Sequence, residues 1–179
     1  MRARARSGKG VNTVKAYSKF LDILEKIEFV IIAVAIIVMI FAMMDQVIMR
    51  YVFSKANSWS DELTRYLFIY TVMLGASIAV RRNSHLQIDL IIGRLKPRSK
   101  AIFTIVTTVV GIVFLVMLTM YSFALCEQGA TNTSAGLGIS MNIPYMALPI
   151  GCVLMILTSI EVLFKNIAAL KTGEEVQYK

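Results

Sequence analysis

The chain has 179 residues, of which 57% are apolar and 17% charged, whereas ordinary soluble domains have about 45–50% and about 25%. The apolar residues are concentrated: residues 29–44 are apolar throughout, and residues 101–125 and 128–160 carry no charged side chain. About twenty apolar helical residues cross the hydrocarbon core of a bilayer. The composition therefore excludes a soluble globular protein and predicts one all-α membrane domain over residues 1–179.

The net charge of +8 would suit a nucleic-acid-binding protein, but the distribution of the charges favours a membrane topology instead. Sixteen of the nineteen basic residues precede residue 29, lie between residues 81 and 100, or follow residue 160; the others are Arg50, Lys55 and Arg65. Cytoplasmic loops of membrane proteins are enriched in Lys and Arg. We therefore predict cytoplasmic termini, a cytoplasmic loop between the second and third spans, and no nucleic-acid partner.

The apolar periodicity predicts four transmembrane helices and two further helical segments. An amphipathic helix at 13–28 leads into the first span from the inner membrane face. A stretch at 84–96 is too short to cross a bilayer, so we predict a helix lying in the cytoplasmic interface. The stretch from residue 128 to 143 is rich in small polar residues and is predicted to be mostly irregular. The four spans are predicted at residues 29–49, 63–80, 101–125 and 144–164.

A dense polar cluster is predicted at the outer ends of the first two spans. Ser58 or Ser60 is placed to cap the second span, and Asp61 and Glu62 then oppose the positive end of its helix dipole. Spacings of three and four residues bring both acids to the face of Arg65. We predict that this cluster fixes the loop between spans one and two, with the members Arg50, Trp59, Asp61, Glu62 and Arg65.

Two ionisable positions are candidates for chemistry. Asp45 lies in the last turns of span one, where an ionisable side chain could bind a proton or an ion. Its place at the end of the span favours a pairing with Arg50 or Arg65 instead. His85 and Asp89 share a helix face, but two ligands are too few for a metal site. A His–Asp hydrogen bond that fixes the interfacial helix is therefore the favoured interpretation.

Small residues and prolines mark the expected packing contacts. Gly75 and Ala79 form a small-xxx-small pair that permits close helix approach. Pro144 opens the fourth span, where Asn142 is placed to cap it. Pro149 lacks a backbone donor and is expected to bend the first turns of that span.

The sequence contains no arrangement typical of an enzyme, a cofactor site or a metal site. Cys126 and Cys152 are single cysteines that we interpret as small packing residues, and one histidine cannot supply two haem ligands. A coupled transporter needs a polar pathway near the middle of the membrane, whereas the middles of these spans are apolar. The chain is therefore predicted to be a structural or interaction subunit without a cofactor.

Several short motifs occur in a recognisable order along the chain. They read RYVF at 50–53, WSDEL at 59–63, LGA at 74–76, HLQID at 85–89, IPY at 143–145 and ALPIG at 147–151. Over about residues 14–165 this order resembles the small, DctQ-like membrane subunit of tripartite ATP-independent periplasmic (TRAP) transporters.

The resemblance implies a bacterial inner-membrane subunit that works with two protein partners. One is a large membrane transporter subunit that carries the substrate and sodium sites and moves in an elevator manner. The other is a periplasmic substrate-binding protein for an organic acid, such as a C4-dicarboxylate, a sialic acid or another sugar acid. The small subunit would hold the static part of the large one, widen its contact with membrane lipids, and offer outer loops to the binding protein.

A second hypothesis remains open from the residues alone. The chain could be a small self-associating four-span exporter that uses Asp45 for proton coupling. The position of Asp45 near the end of its span argues against this role, and the helix at 84–96 would have no function there. Co-purification separates the two, because a scaffold brings down a large partner and an exporter brings down itself.

Overall fold

The structure is a computed structural model that describes residues 2–55, 57–82 and 97–172. These residues form five α-helices and one isolated β-bridge, between Thr133 and Ser140. The all-α membrane fold is therefore confirmed. The helices are α1 (Arg2–Tyr51), α2 (Ser58–Arg81), α3 (Pro97–Ala130), α4 (Asn142–Tyr145) and α5 (Ala147–Thr172).

Four helical segments are long and apolar enough to cross a membrane. They are Tyr17–Tyr51, Ser58–Arg81, Ile102–Ala130 and Asn142–Ile167. Each contains one of the four predicted spans almost completely and extends beyond it at one end or both. The helices extend because polar residues such as Asp22 and Asp61 continue them beyond the apolar core. Hydropathy cannot locate the end of a helix in such a polar segment.

The N-terminal amphipathic segment is helical, and it has no boundary with the first span. Helix α1 runs from Arg2 through residues 13–28 and on to Tyr51 without interruption. Leu21 is 2% exposed within this segment, because it faces the neighbouring helices. The predicted interfacial helix at 84–96 lies outside the described residues.

The connection between α3 and α5 is mostly irregular, as predicted for residues 128–143. Helix α3 continues to Ala130 and residues 142–145 are helical, so the irregular backbone is confined to residues 131–141. The helix then breaks at Met146. Pro149 explains the break, since in a continuous helix its missing amide would donate to the Tyr145 carbonyl. Ile150 resumes the ladder by donating to Met146 at 3.2 Å.

The four long helices pack side by side in the order α1, α2, α5, α3. Helix α1 also touches α5 near its inner end. A small core forms between α2, α5 and α3, where Val80, Cys152 and Met155 are buried against Met73, Ala76, Leu115 and Leu118. Cys126 and Cys152 are both buried free thiols, which agrees with a packing role.

This side-by-side order leaves large apolar surfaces uncovered. The share of buried residues over the most apolar 18-residue stretch differs from span to span. It is 0% in the span formed by α3 and 44% in the span that contains α5. Val110 and Phe114 of α3 are 64% and 62% exposed, and Phe41 of α1 is 68% exposed. Because helices in a closed bundle bury one face each, the fold is an open row whose faces meet lipid or another protein.

Candidate functional site

Charged side chains join α1, α2 and α5 at the membrane face that the sequence predicts to be cytoplasmic. Arg81, the last residue of α2, is 8% exposed, and Glu161 of α5 is 1% exposed. Acidic residues of α1 and two further basic side chains surround this pair. We call the group the inner cluster, and its members are Asp22, Glu25, Arg81, Arg82, Glu161 and Lys165.

The Arg81 guanidinium donates hydrogen bonds to both neighbouring helices. Its Nε donates to Glu161 Oε2 at 3.0 Å, and its Nη1 donates to Glu25 Oε2. Its Nη2 donates to Asp22 Oδ1 at 2.6 Å and to the Ser18 carbonyl at 3.1 Å. Arginine offers five N–H donors in a rigid plane, an arrangement that lysine cannot reproduce. One side chain of α2 therefore ties it to α1 and to α5.

Two peripheral cations complete the charge balance of the inner cluster. Arg82 donates from Nη2 to Glu25 Oε1 at 2.8 Å, and its guanidinium carbon lies 5.2 Å from the centre of the Phe29 ring. The Lys165 ammonium lies 2.8 Å from Glu161 Oε1. Buried charges are costly unless they are paired and hydrogen-bonded. Each of the three acidic and three basic side chains of the cluster takes part in at least one ion pair, although Glu161 Oε1 has the Lys165 contact as an ion pair and not as a hydrogen bond.

Two hydrogen bonds outside the cluster reinforce the same junction. Ser77 Oγ donates to Glu28 Oε1 at 3.2 Å, and both residues are buried. The Tyr17 hydroxyl donates to the Leu157 carbonyl at 2.9 Å. Together with the inner cluster, these two contacts hold α1, α2 and α5 in register at this end of the fold.

Asp45 closes the α1–α2 pair at the opposite membrane face. Its Oδ2 accepts hydrogen bonds from Asn57 Nδ2 at 2.6 Å and from Ser60 Oγ at 3.3 Å. The predicted pairing of Asp45 with an arginine is therefore wrong. Ser58 and Ser60 do not cap α2 either; Asn57 holds the N-cap position and makes no side-chain cap hydrogen bond there. The side-chain amide of Asn57 donates to Asp45 instead.

The contacts at the two ends of α1 and α2 have matching spacing. Glu28 and Asp45 are separated by as many residues as their partners Ser60 and Ser77. The two helices are antiparallel, so both contacts form in a single register. A shift of either helix by one turn would break both at once.

Glu62 holds the loop that joins α3 to α4. Its Oε2 accepts hydrogen bonds from the Ser134 hydroxyl and from the Leu137 backbone N–H, the latter at 3.1 Å. Gly136 presses against α2, because a Cβ there would lie 2.8 Å from the Ser58 carbonyl oxygen. Glu62 therefore fixes residues 131–141, and not the loop between α1 and α2 as predicted.

The other members of the predicted outer cluster do not gather around Glu62. Asp61 and Arg65 form a separate ion pair at 2.9 Å, with side chains 57% and 66% exposed. Arg50 is exposed, and Trp59 is 41% exposed. The predicted single cluster is wrong, because consecutive residues at a helix start point in different directions around its axis.

Close helix approach occurs at a different glycine from the predicted one. A Cβ at Gly75 would meet no atom of the described residues within 4 Å, and Ala79 is exposed. A Cβ at Gly151 would lie only 2.7 Å from the Met73 Cβ. Among the described residues, Gly151 is therefore where two of the four long helices, α2 and α5, approach each other closely.

The remaining candidate residues have different outcomes. Pro144 is buried inside the short helix α4, and Pro149 follows the break at Met146. Asn142 does not cap that helix, since Met141 holds the N-cap position. His85 and Asp89 lie outside the described residues. Among the residues that the structure describes, no three His, Cys, Asp or Glu side chains are close enough to hold a metal ion.

The inner cluster was not predicted from the sequence. Arg81 was interpreted only as one of several cytoplasmic positive charges, and Glu25, Glu28 and Glu161 were not among the candidate residues. A signal was nevertheless present: Glu161 follows a long uncharged stretch, and ionisable residues inside spans are candidates by default. Its partner lies eighty positions earlier in the chain, which spacing rules for one helix cannot detect.

The family described as "Tripartite ATP-independent periplasmic transporters, DctQ component" matches residues 36–169. The chain belongs to this family. Membership in the DctQ family confirms the predicted resemblance and places the chain among multi-pass proteins of the bacterial inner membrane. It also places it among transporter subunits, a class that in general does not contain enzymes.

Three curated relatives illustrate the range of this DctQ family. The sialic acid TRAP transporter small permease protein SiaQ of Vibrio cholerae is 27% identical over 124 residues, 69% of this chain and 71% of that protein. The C4-dicarboxylate TRAP transporter small permease protein DctQ of Rhodobacter capsulatus is 30% identical over 118 residues, 65% of this chain and 51% of that protein. The sialic acid TRAP transporter permease protein SiaT of Haemophilus influenzae is 28% identical over 129 residues, 72% of this chain but 20% of that protein.

Proposed function

We propose that the chain is the scaffold subunit of a sodium-coupled, binding-protein-dependent transporter for an organic acid anion. The observation that carries this proposal is the open row of spans, whose apolar faces are exposed in the described residues while the charged side chains of the inner cluster pair with one another. A row of this kind offers area for a large membrane partner. Relatives named for sialic acid and for C4-dicarboxylate support an organic acid as the substrate class.

The partner that covers the row is proposed to be the large membrane subunit. The match to SiaT occupies a fifth of a much longer permease protein, which supports small and large permease parts acting as one unit. The inner cluster supports a static role, because it ties α1, α2 and α5 together at one end. The coupling ion and the substrate then bind to the large subunit. The outer loops of this chain help to dock the periplasmic binding protein.

The proposed orientation follows from the distribution of basic residues. In a chain with Cys126 and Cys152 replaced by serine, we expect Ser58→Cys and Thr133→Cys to react with a membrane-impermeant thiol reagent in intact cells. Ser99→Cys is the matched control and should react only after lysis. Labelling of Ser99→Cys in sealed cells would contradict cytoplasmic termini.

The scaffold role predicts that this chain transports nothing by itself. Purified alone in liposomes, it should show no sodium-dependent uptake of sialic acid or of a C4-dicarboxylate. Uptake should appear when the large subunit and the loaded binding protein are both added. A coupled transporter exposes a mid-membrane site alternately to each side, and Asp45 is already occupied by Asn57 and Ser60. Uptake by this chain alone would refute the scaffold role and restore the exporter hypothesis.

A further inference from the structure

We infer that Glu62 is a positioning residue that holds residues 131–141 as a preformed docking surface for the soluble periplasmic component of the transporter. We call residues 131–141 the outer loop. The inference rests on the proposed function, because it assigns the docking role to one loop and names the side chain that shapes it.

The outer loop is closed by its own backbone hydrogen bonds. The Ser134 amide donates to the Ile139 carbonyl at 2.8 Å, and the Gly138 amide donates to the Ser134 carbonyl at 3.1 Å. The Met141 amide donates to the Asn132 carbonyl at 2.9 Å. Gly138 has φ of +66°, a left-handed conformation that glycine adopts without strain. The loop is therefore a defined shape.

Glu62 connects this shape to the rigid start of α2. Its carboxylate accepts from Ser134 and Leu137, and the Leu137 amide also lies 3.2 Å from Ser134 Oγ. Ser134 is buried although it lies in a surface loop. Gly136 allows the contact, because any side chain there would meet the Ser58 carbonyl. The carboxylate thus holds the tip of the loop from the α2 side.

The exposed part of the outer loop suits a protein surface in water. Thr131, Asn132 and Thr133 are exposed, and no residue of the loop is charged. By contrast, Tyr51 at the end of α1 and Phe53 in the connection between α1 and α2 are 78% and 58% exposed. Exposed aromatic side chains are typical of the lipid headgroup region. The family description names a tripartite periplasmic transporter, of which this chain is one component. The polar loop therefore fits the soluble component, and fixing its shape in advance reduces the ordering cost of binding.

The test compares Glu62→Ala and Gly136→Ala with Asp61→Ala in the complex of this chain and the large subunit. Asp61→Ala is the matched control, because it removes the same charge from the next position and has no contact to the outer loop among the described residues. Two quantities are measured: amide hydrogen exchange of residues 131–141, and affinity for the loaded binding protein in nanodiscs.

We expect both test variants to exchange faster at the Ser134, Leu137 and Gly138 amides and to bind the binding protein about tenfold more weakly or worse. The control should change neither quantity. Adding the binding protein to the wild-type complex should slow exchange in the outer loop. A third variant, Ser134→Ala, removes the hydroxyl that donates to Glu62 and accepts from the Leu137 amide but keeps the carboxylate, and it tests the same contact if a stronger variant fails to assemble.

Three results would overturn the inference in distinguishable ways. Faster exchange with unchanged affinity would show that the outer loop does not dock the partner, while the scaffold role would stand. Unchanged exchange in all three variants would show that Glu62 does not hold the loop. A wild-type complex that binds the binding protein but protects only residues outside 131–141 would place docking elsewhere. Failure of the wild-type complex to bind at all would refute the proposed docking function itself.

Discussion

Replacing Arg81 with leucine is expected to cause a large loss of stability. The change leaves Glu161, which is 1% exposed, with Lys165 as its remaining ion-pair partner among the described residues, and it removes the donors to Asp22 and Glu25. Breaking a buried ion pair by removing one partner costs about 3–5 kcal/mol. The folded fraction in detergent, measured by thermal melting with size-exclusion chromatography, should fall strongly.

Arg82→Leu is the matched control for Arg81→Leu. Both substitutions remove one positive charge at the same membrane face, so any effect on insertion through the distribution of charges is shared. The Arg82 side chain is 46% exposed, and Glu25 is its one ion-pair partner among the described acids. Exposed ion pairs contribute about 0–1 kcal/mol. Equal melting temperatures for the two variants would contradict the structural importance of the Arg81 contacts.

A double variant separates a specific pair from a general need for charge. Adding Glu161→Leu to Arg81→Leu removes the buried acid that has lost its arginine partner, and apolar replacement of a buried pair is often close to neutral. We therefore expect the double variant to melt above Arg81→Leu alone, because the two side chains interact directly at 3.0 Å. Additive losses would show that each residue acts through other contacts.

The transmembrane helices could be predicted from the sequence because the bilayer requires a minimum apolar length of each segment separately. Residues 29–44 and 101–125 carry an apolar signal that needs no knowledge of neighbours. The extent of each helix could not be predicted in the same way. Helix α1 continues to Arg2 in a polar segment where hydrophobicity gives no boundary.

The side-chain contacts between helices were far less predictable. Arg81 and Glu161 meet because α2 and α5 are neighbours in the row, and that order is a property of the whole fold. Likewise, the loop that Glu62 holds lies about seventy residues later in the chain. Rules for pairs three or four residues apart found the exposed Asp61–Arg65 pair. They could not find a partner on another element.

Gly151→Ala is expected to disturb the contact between α2 and α5 with a single added methyl group. The new Cβ would lie 2.7 Å from the Met73 Cβ, and a side-chain atom so close to the backbone cannot swing away. The two helices must therefore separate. Overpacking of this kind costs about 1–3 kcal/mol. The neighbouring core around Cys152 and Met155 would loosen with it, which we expect to see as a lower melting temperature.

Gly111→Ala is the control that isolates this contact from the general effect of replacing a glycine. A Cβ at Gly111 would meet no described atom within 4 Å, and replacing a mid-helix glycine with alanine favours the helix by about 0.5–1 kcal/mol. Gly111→Ala should therefore match or exceed the wild type in thermal stability, and Gly75→Ala should do the same in the isolated chain. The direction of the change in melting temperature thus distinguishes the sites. Helix propensity raises stability at Gly75, Gly111 and Gly151, whereas of these three only Gly151 also has the clash with Met73 that lowers it. If Gly151→Ala were as stable as Gly111→Ala, the added Cβ would not clash with Met73, and α2 and α5 would lie further apart than the 2.7 Å contact indicates.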